Sequence, residues 1–286
     1  MDSQNTTKCK RTSKPDWLKI RLQHSEKYAR VSSLVDRYGL HTICSSGKCP
    51  NISECWSAAT ATFLIAGDIC TRKCRFCATA TGRPLPLDIN EPKKIARSIQ
   101  IMELKHAVIT SVDRDDLEDG GALHWKNTVE AIKTKCPDTT IEILIPDFDS
   151  KPELIDIVLA AGAHIIGHNL ETVKRITPLV RSRATYSTSL DTLKYLSDKG
   201  ADTKSGIMVG LGETFDEVVE TLKDLYDVGV RRVTIGQYLQ PTKQHLEVSE
   251  YVTPETFDKY KEIALDMGFK HVESAPMVRS SYHAKL

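Results

Sequence analysis

Eight cysteines in a chain of 286 residues are too dilute for a disulfide scaffold, yet six of them fall between Cys44 and Cys77. Clustering of that kind points to a metal. Cys70-Thr-Arg-Lys-Cys74-Arg-Phe-Cys77 is a C-x3-C-x2-C run whose spacing lets three thiolates converge from one short loop. A structural zinc wants four ligands, and no second C-x2-C knuckle is present to complete such a site. An iron–sulfur cube held by three thiolates keeps one iron open for a substrate or cofactor, so the spacing argues for chemistry. Upstream, Cys44, Cys49 and Cys55 form a C-x4-C-x5-C set that is weak alone, but two three-cysteine sets in one chain suggest two clusters. Cys9, in a polar N-terminal arm, and Cys136, closing a helical stretch, read as ordinary thiols.

These loops need elements to hold them. Residues 1 to about 60 show no sustained period, whereas from 61 onward short apolar runs alternate with helical patterns. The runs 63–67, 107–112, 141–146, 164–169, 205–210 and 232–239 resemble buried parallel strands. Between them, EPKKIARSIQIMEL carries a proline near its start, and PELIDIVLAAG, DTLKYLSDKG and FDEVVETLKDLYDVG close on glycine. Strand then helix, six times over, makes an α/β protein with a parallel barrel, complete or partial. Gly210-Leu211-Gly212 lacks the third glycine of a dinucleotide fingerprint, so it reads as a tight turn whose amides remain possible ligand contacts.

Composition removes other classes. The chain has 39 basic and 38 acidic residues, a net charge of +1, so no nucleic-acid partner and no membrane surface is expected. No apolar stretch approaches the ~20 residues of a membrane span. The first residues lack the apolar core of a secretory signal, which favours the cytoplasm.

The C-x3-C-x2-C run, with Phe76 before its last cysteine and its place after the first barrel strand, looks like the signature of radical S-adenosylmethionine (SAM) enzymes. The resemblance to the lipoyl synthase family goes further: GDICTRKCRFC (67–77), GRPLPLDINEP (82–92), VITSVDRDDLEDGGA (108–122), HNLET (168–172), TKSGIMVGLGET (203–214) and VRSSYHA (278–284) look like its blocks. A glycine, Gly167, stands before His168 where that family more usually has an aromatic residue or Asn, and the N-terminal arm is short. The resemblance implies a partial (β/α)6 barrel of the radical SAM type over 61–270. An N-terminal extension, 1–60, would carry the auxiliary-cluster cysteines, and a C-terminal segment, 271–286, would fold across the mouth.

It also implies two 4Fe-4S clusters and SAM. Cys70, Cys74 and Cys77 would hold the cluster that cleaves SAM to a 5′-deoxyadenosyl radical. Cys44, Cys49, Cys55 and a serine of Arg279-Ser280-Ser281-Tyr282 would hold the auxiliary cluster consumed as sulfur donor, with the role carried to Ser281 and Ser280 as the second choice. The implied reaction inserts two sulfur atoms at C6 and C8 of protein-bound octanoyl-lysine. The substrates would be octanoylated lipoyl domains of 2-oxo acid dehydrogenases or the glycine-cleavage H protein. The other implied partners are a flavodoxin or ferredoxin reductant and an iron–sulfur carrier protein.

Ser111 and Asp113 follow a strand at the rim where barrel sites are built, and are candidates to touch SAM. Glu142 alternates with apolar neighbours and faces the interior, where a carboxylate needs a partner. Asn169, Glu171 and Lys204 are further candidates for SAM contacts; hydrogen-bonded rim residues are the other reading of each. His168 has no second histidine at ligand spacing and reads as a satisfied core or rim residue, while Trp56 and Tyr282 pack beside the auxiliary ligands. Other radical SAM sulfur inserters lack the RSSY block and this spacing, a two-cluster electron carrier would use four cysteines per cube, and a zinc module would contain no labile sulfide.

Overall fold

The computed structural model describes residues 14–19, 25–57 and 62–281. Cys9 and Tyr282 lie outside the described residues.

The chain before the first predicted strand is not featureless. Helix α1 (Glu26–Tyr38) is capped by Ser25, whose hydroxyl accepts from the Tyr28 amide, and stops at Gly39 in the left-handed conformation. Strand β1 (His41–Thr42) leads directly into the short helices α2 (Ile43–Ser46) and α3 (Ile52–Ser57). Then come β2 (Thr62–Ile65), a small two-stranded ribbon of β3 (Ile69–Cys70) and β4 (Ala80–Thr81), and α4 (Glu91–Ile101). The remainder alternates: β5 (His106–Ser111), α5 (Ala122–Lys135), β6 (Thr140–Leu144), α6 (Pro152–Ala160), β7 (Ile165–Gly167), α7 (Thr177–Val180), α8 (Tyr186–Asp198), β8 (Thr203–Val209), α9 (Phe215–Asp227), β9 (Arg232–Gln237), α10 (Pro254–Met267) and β10 (His271–Ser274).

The main sheet runs β1-β2-β5-β6-β7-β8-β9-β10. All its neighbours are parallel except β1 and β2. The six predicted strands are its six central members. The structure adds a seventh parallel strand, β10, and the antiparallel edge β1. Both are short and only half buried, so neither produces the unbroken apolar run that marked the others. No pairing joins β1 to β10 among the described residues, so the barrel is open.

Strand alternation divides labour between the two faces of the sheet. Phe63, Ile65, Ile109, Ile141 and Ile143 point to one core against Ile95, Ile99, Trp125 and Ile132 of the helices. Val209, Val233 and Ile235 continue that layer against Leu222, Leu225 and Phe257. Each fully buried side chain of this size contributes about 1.5–3 kcal/mol. The opposite face carries Thr110, Glu142, Lys204, Gly206 and Thr234 and lines a cavity. Among the described residues no helix is long and apolar enough to cross a membrane.

Candidate active site

The cavity has a volume of about 580 Å³. All six clustered cysteines line it, as do Ser111, Asp113, Glu142, Asn169, Glu171, Lys204, Ser280 and Ser281. Residues spread from 44 to 281 therefore meet at one place, the C-terminal ends of the parallel strands.

Cys70 ends β3, and Cys74 and Cys77 follow in the loop that returns to β4. The Cys70 sulfur accepts from the Arg72 and Asp113 amides, each at 3.4 Å. Cys74 lies 3.7 Å from the Ser182 hydroxyl. Burial and the neighbouring Asp113 carboxylate push the Cys70 thiol up to about 12, and burial raises Cys77 as well.

Arg72 clamps this loop to the barrel. Its guanidinium donates to Asp115 through Nε and Nη2, both at 2.9 Å, and to Asp147 through Nη1 and Nη2 at 3.0 and 2.9 Å. Asp113 stands 3.4 Å away. Asp147 is fully buried, and against the cost of its burial Arg72 holds its carboxyl down at about 2. Asp113 moves the other way: burial and the charges of Asp147 and Asp115 outweigh Arg72 and raise it. The acidic run 113–116 is thus an internal anchor, with Arg114 donating to Asp116 and, at 3.0 Å, to the Ala66 carbonyl.

The second thiol set is held by α2, α3 and the turn between them. Thr42 caps α2 by accepting from the Ser45 amide, placing buried Cys44 in its first turn. Burial raises Cys44 and Cys49, and with the charges of Cys44 and Cys49 it pushes Cys55 up to about 12. Trp56 is buried beside Cys44, and its indole N–H faces the Cys44 sulfur and favours the thiolate.

The C-terminal segment reaches the same cavity. The Asn51 amide donates to the Met277 carbonyl at 2.7 Å. A Cβ at Gly236 would collide with the Val278 carbonyl, so only glycine lets the segment lie on β9. The two candidate serines then separate. Ser281 accepts from the Thr62 hydroxyl at 2.8 Å, and the backbone of Thr62 also meets the Cys44 thiol. Ser280 instead accepts from the Asn169 amide at 2.8 Å.

Glu142 has its partner. Lys204 Nζ lies 2.6 Å from Oε1, and His106 Nε2 lies 3.1 Å from Oε2. Burial would raise the Glu142 carboxyl, but the His106 hydrogen bond and the Lys204 charge hold it below its ordinary value. Two residues singled out separately for SAM contacts thus occupy each other in the cavity wall. Glu171 sits there in a left-handed conformation, φ 73°, its carboxyl raised by burial against the opposing charge of Arg181. His168 is satisfied by the Ile145 carbonyl at 2.9 Å and the Ser189 hydroxyl at 3.0 Å, and burial lowers it to about 4. The amides of Gly210 and Leu211 already donate to the Glu213 carboxylate, which corrects their reading as ligand contacts.

Arg72, Thr62 and Arg181 had not been singled out. Arg72 lies inside the cysteine run, and a charged residue within a ligand loop was the available signal. Arg181 lines the cavity with its Nε buried and unpartnered among the described residues, and nothing in local sequence marks it.

The donor chemistry suits polynuclear iron. Two sets of three thiols share the cavity, and thiolate sulfur is the usual ligand of iron–sulfur clusters. Raised thiols bind metal only by releasing protons, which iron coordination supplies the free energy to do.

Residues 64–225 match the Radical SAM superfamily. The chain is 59% identical over 272 residues to a lipoyl synthase of Parabacteroides distasonis, spanning 95% of this chain and 97% of that one. The chain belongs to the lipoyl synthase family. Lipoyl synthases of Bacteroides fragilis and Flavobacterium johnsoniae are 59% and 56% identical, each over 96% of this chain and covering 96% and 95% of theirs. Among solved structures, SuiB of Streptococcus suis bound to S-adenosylmethionine superposes with a TM-score of 0.59 at 11% identity, covering 82% of this chain and 57% of that one. Methylornithine synthase superposes at 0.52 and 14% identity, over 92% and 84%. Those two share the fold. As a radical SAM enzyme of the lipoyl synthase family, the chain uses a 4Fe-4S cluster and SAM, and it acts on a protein substrate.

Proposed function

We propose that this lipoyl synthase family member inserts two sulfur atoms at C6 and C8 of octanoyl-lysine on a carrier protein. Cys70, Cys74 and Cys77 hold the cluster that meets SAM; Cys44, Cys49, Cys55 and Ser281 hold an auxiliary 4Fe-4S cluster as sulfur donor. The observation that carries this reading is the meeting of both thiol sets and the C-terminal serines in one cavity. When bound, these groups supply a 5′-deoxyadenosyl radical able to take hydrogen from an unactivated carbon, and the sulfur that replaces it.

The chain's own residues bind, orient and exclude water. Arg72 fixes the Cys70–Cys77 loop against the ends of β5 and β6. Arg181, a cation lining the cavity whose Nη1 donates to the Asn169 carbonyl and the Ser189 hydroxyl, suits the carboxylate of SAM by its charge, and Ser111, Asp113, Asn169 and Glu171 surround the same space. The Glu142–Lys204 pair shapes the cavity floor and supports SAM through its remaining lone pairs and protons. Ser281 is favoured over Ser280 because Thr62 ties it to Cys44. An alkoxide is a harder ligand than a thiolate, so Ser281 would hold its iron less firmly than the three cysteines hold theirs.

The segment before residue 60 thus serves the auxiliary set, and residues after 270 bring its fourth ligand. Octanoylated lipoyl domains or the glycine-cleavage H protein are the carriers, a flavodoxin or ferredoxin is the reductant, an iron–sulfur carrier rebuilds the spent cluster, and the cytoplasm is the compartment. The test is anaerobic: reconstitute iron and sulfide, add SAM, reductant and an octanoyl-lysine peptide, and follow peptide mass with 5′-deoxyadenosine. Gain of two sulfurs with matching deoxyadenosine supports the reading. Deoxyadenosine without sulfur on the peptide refutes the substrate, and neither product from protein carrying both clusters refutes the enzyme.

A further inference from the structure

The loop that leaves β9 also grips the cysteine loop, through groups other than those that hold Arg72. Its grip is made of backbone on the cysteine side. His245 Nε2 lies 2.9 Å from the Cys77 carbonyl oxygen, and the Leu246 amide donates to the Arg75 carbonyl at 3.2 Å. Within the grip, the Tyr238 hydroxyl donates to the Leu246 carbonyl at 2.8 Å and the Gln240 amide to the His245 carbonyl at 2.9 Å. Leu239, Gln240 and Pro241 of the same loop line the cavity.

The hydrogen-bond pattern defines the tautomer of His245. A carbonyl only accepts, so Nε2 carries a proton. Thr242 Oγ1 accepts from the Gln244 amide at 3.3 Å and lies 2.8 Å from Nδ1, to which its own proton can donate when the ring is neutral. On the other side, the Cys77 amide donates to the Cys74 carbonyl at 3.2 Å. The peptide units on either side of the Cys77 side chain are both held, one within the cysteine loop and the other by a residue 168 positions away.

We propose that His245, its tautomer set by Thr242, is a positioning residue for the cluster on Cys70, Cys74 and Cys77. It orients Cys77 and couples the cysteine loop to the cavity wall that Gln240 and Pro241 form. The inference rests on the cluster assignment made above. It differs from it in resting on no thiol.

The test compares His245→Gln, which presents an N–H donor at similar reach, with His245→Phe, which fills the space without one, and Thr242→Val, which releases the tautomer. Each is examined with the auxiliary cysteines intact, and again with Cys44, Cys49 and Cys55 changed to Ala so that one cluster is seen alone. The readouts are the electron paramagnetic resonance spectrum and midpoint potential of the reduced cluster with and without SAM, and the rate of 5′-deoxyadenosine formation. Phe is expected to shift the spectrum and potential and to slow deoxyadenosine formation about tenfold, as misplacement of a reacting group does. Gln should return the rate to within about twofold, since the donor is restored. Valine at 242 should fall between. Auxiliary iron and sulfide should be unchanged in every variant that keeps Cys44, Cys49 and Cys55. A Phe variant with unaltered spectrum and rate overturns the proposal, as does a Gln variant no better than Phe. If the Phe variant does not accumulate, unaltered spectrum and rate in Thr242→Val overturn it. Failure of the unsubstituted protein to assemble a cluster on the 70–77 loop would instead refute the cluster assignment.

Discussion

The Thr62 hydroxyl donates to Ser281 Oγ at 2.8 Å while the backbone of Thr62 meets the Cys44 thiol. One residue at the start of β2 therefore brings a donor from the end of the chain beside one near its beginning. Ser281→Ala is expected to lower sulfur insertion on the order of 10- to 100-fold, the usual range when a metal site loses a supporting group. Deoxyadenosine formation should persist. Ser280→Ala, which removes only the Asn169 contact, should retain auxiliary iron, and iron and sulfide counts on both variants decide between the serines.

Arg72 is bidentate to two carboxylates, one of them fully buried, and lysine cannot reproduce that fork. Arg72→Lys keeps the charge but is expected to destabilise the fold by about 1–3 kcal/mol, the cost of leaving buried carboxylate oxygens without their donors. Urea unfolding measures this, and SAM cleavage should fall with it because the cysteine loop loses its anchor.

Gly236→Ala tests the path of the C-terminal segment. The added methyl meets the Val278 carbonyl, a backbone atom that yields only if the segment moves, at a cost of about 1–3 kcal/mol. Ser281 should then leave the auxiliary set. Product analysis should show sulfur transfer falling well below deoxyadenosine formation.

Lys204→Met leaves Glu142 buried with His106 alone and should destabilise by about 3–5 kcal/mol, whereas Glu142→Met/Lys204→Met together should recover much of the loss. Because the folded state holds Glu142 below its ordinary value of 4.5, its contribution is fully present above that pH. It is lost as pH falls through the folded value. Denaturant midpoints followed from pH 7 to well below 4.5 should therefore fall less, over the part below 4.5, in the double variant than in the unsubstituted chain.

Local order was legible wherever chemistry or burial is written in short range. C-x3-C-x2-C in one loop, apolar runs buried on both faces and glycine-ended helices each depend on neighbours in sequence, and the six central strands follow from them. Strands β1 and β10 were missed because their contacts, not their composition, make them regular, whereas helix α1 carries its own Ser25 cap and Gly39 stop inside a stretch read as without period. The same holds for the candidate site. Its two three-cysteine sets were legible from type and spacing, whereas the serine came only with the family resemblance.

What only the tertiary structure decided is which groups face one another. Glu142 and Lys204 are 62 positions apart and pair because β6, β7 and β8 lie side by side in register. Ser281 parts from Ser280 because Gly236 admits the Val278 carbonyl and Thr62 waits beyond it. Spacing specifies a ligand loop because its atoms are joined through few bonds. A partner from the far end of the chain is chosen by the packing that closes the intervening residues into strands and helices, and the sequence alone determined the candidate thiols without determining that choice.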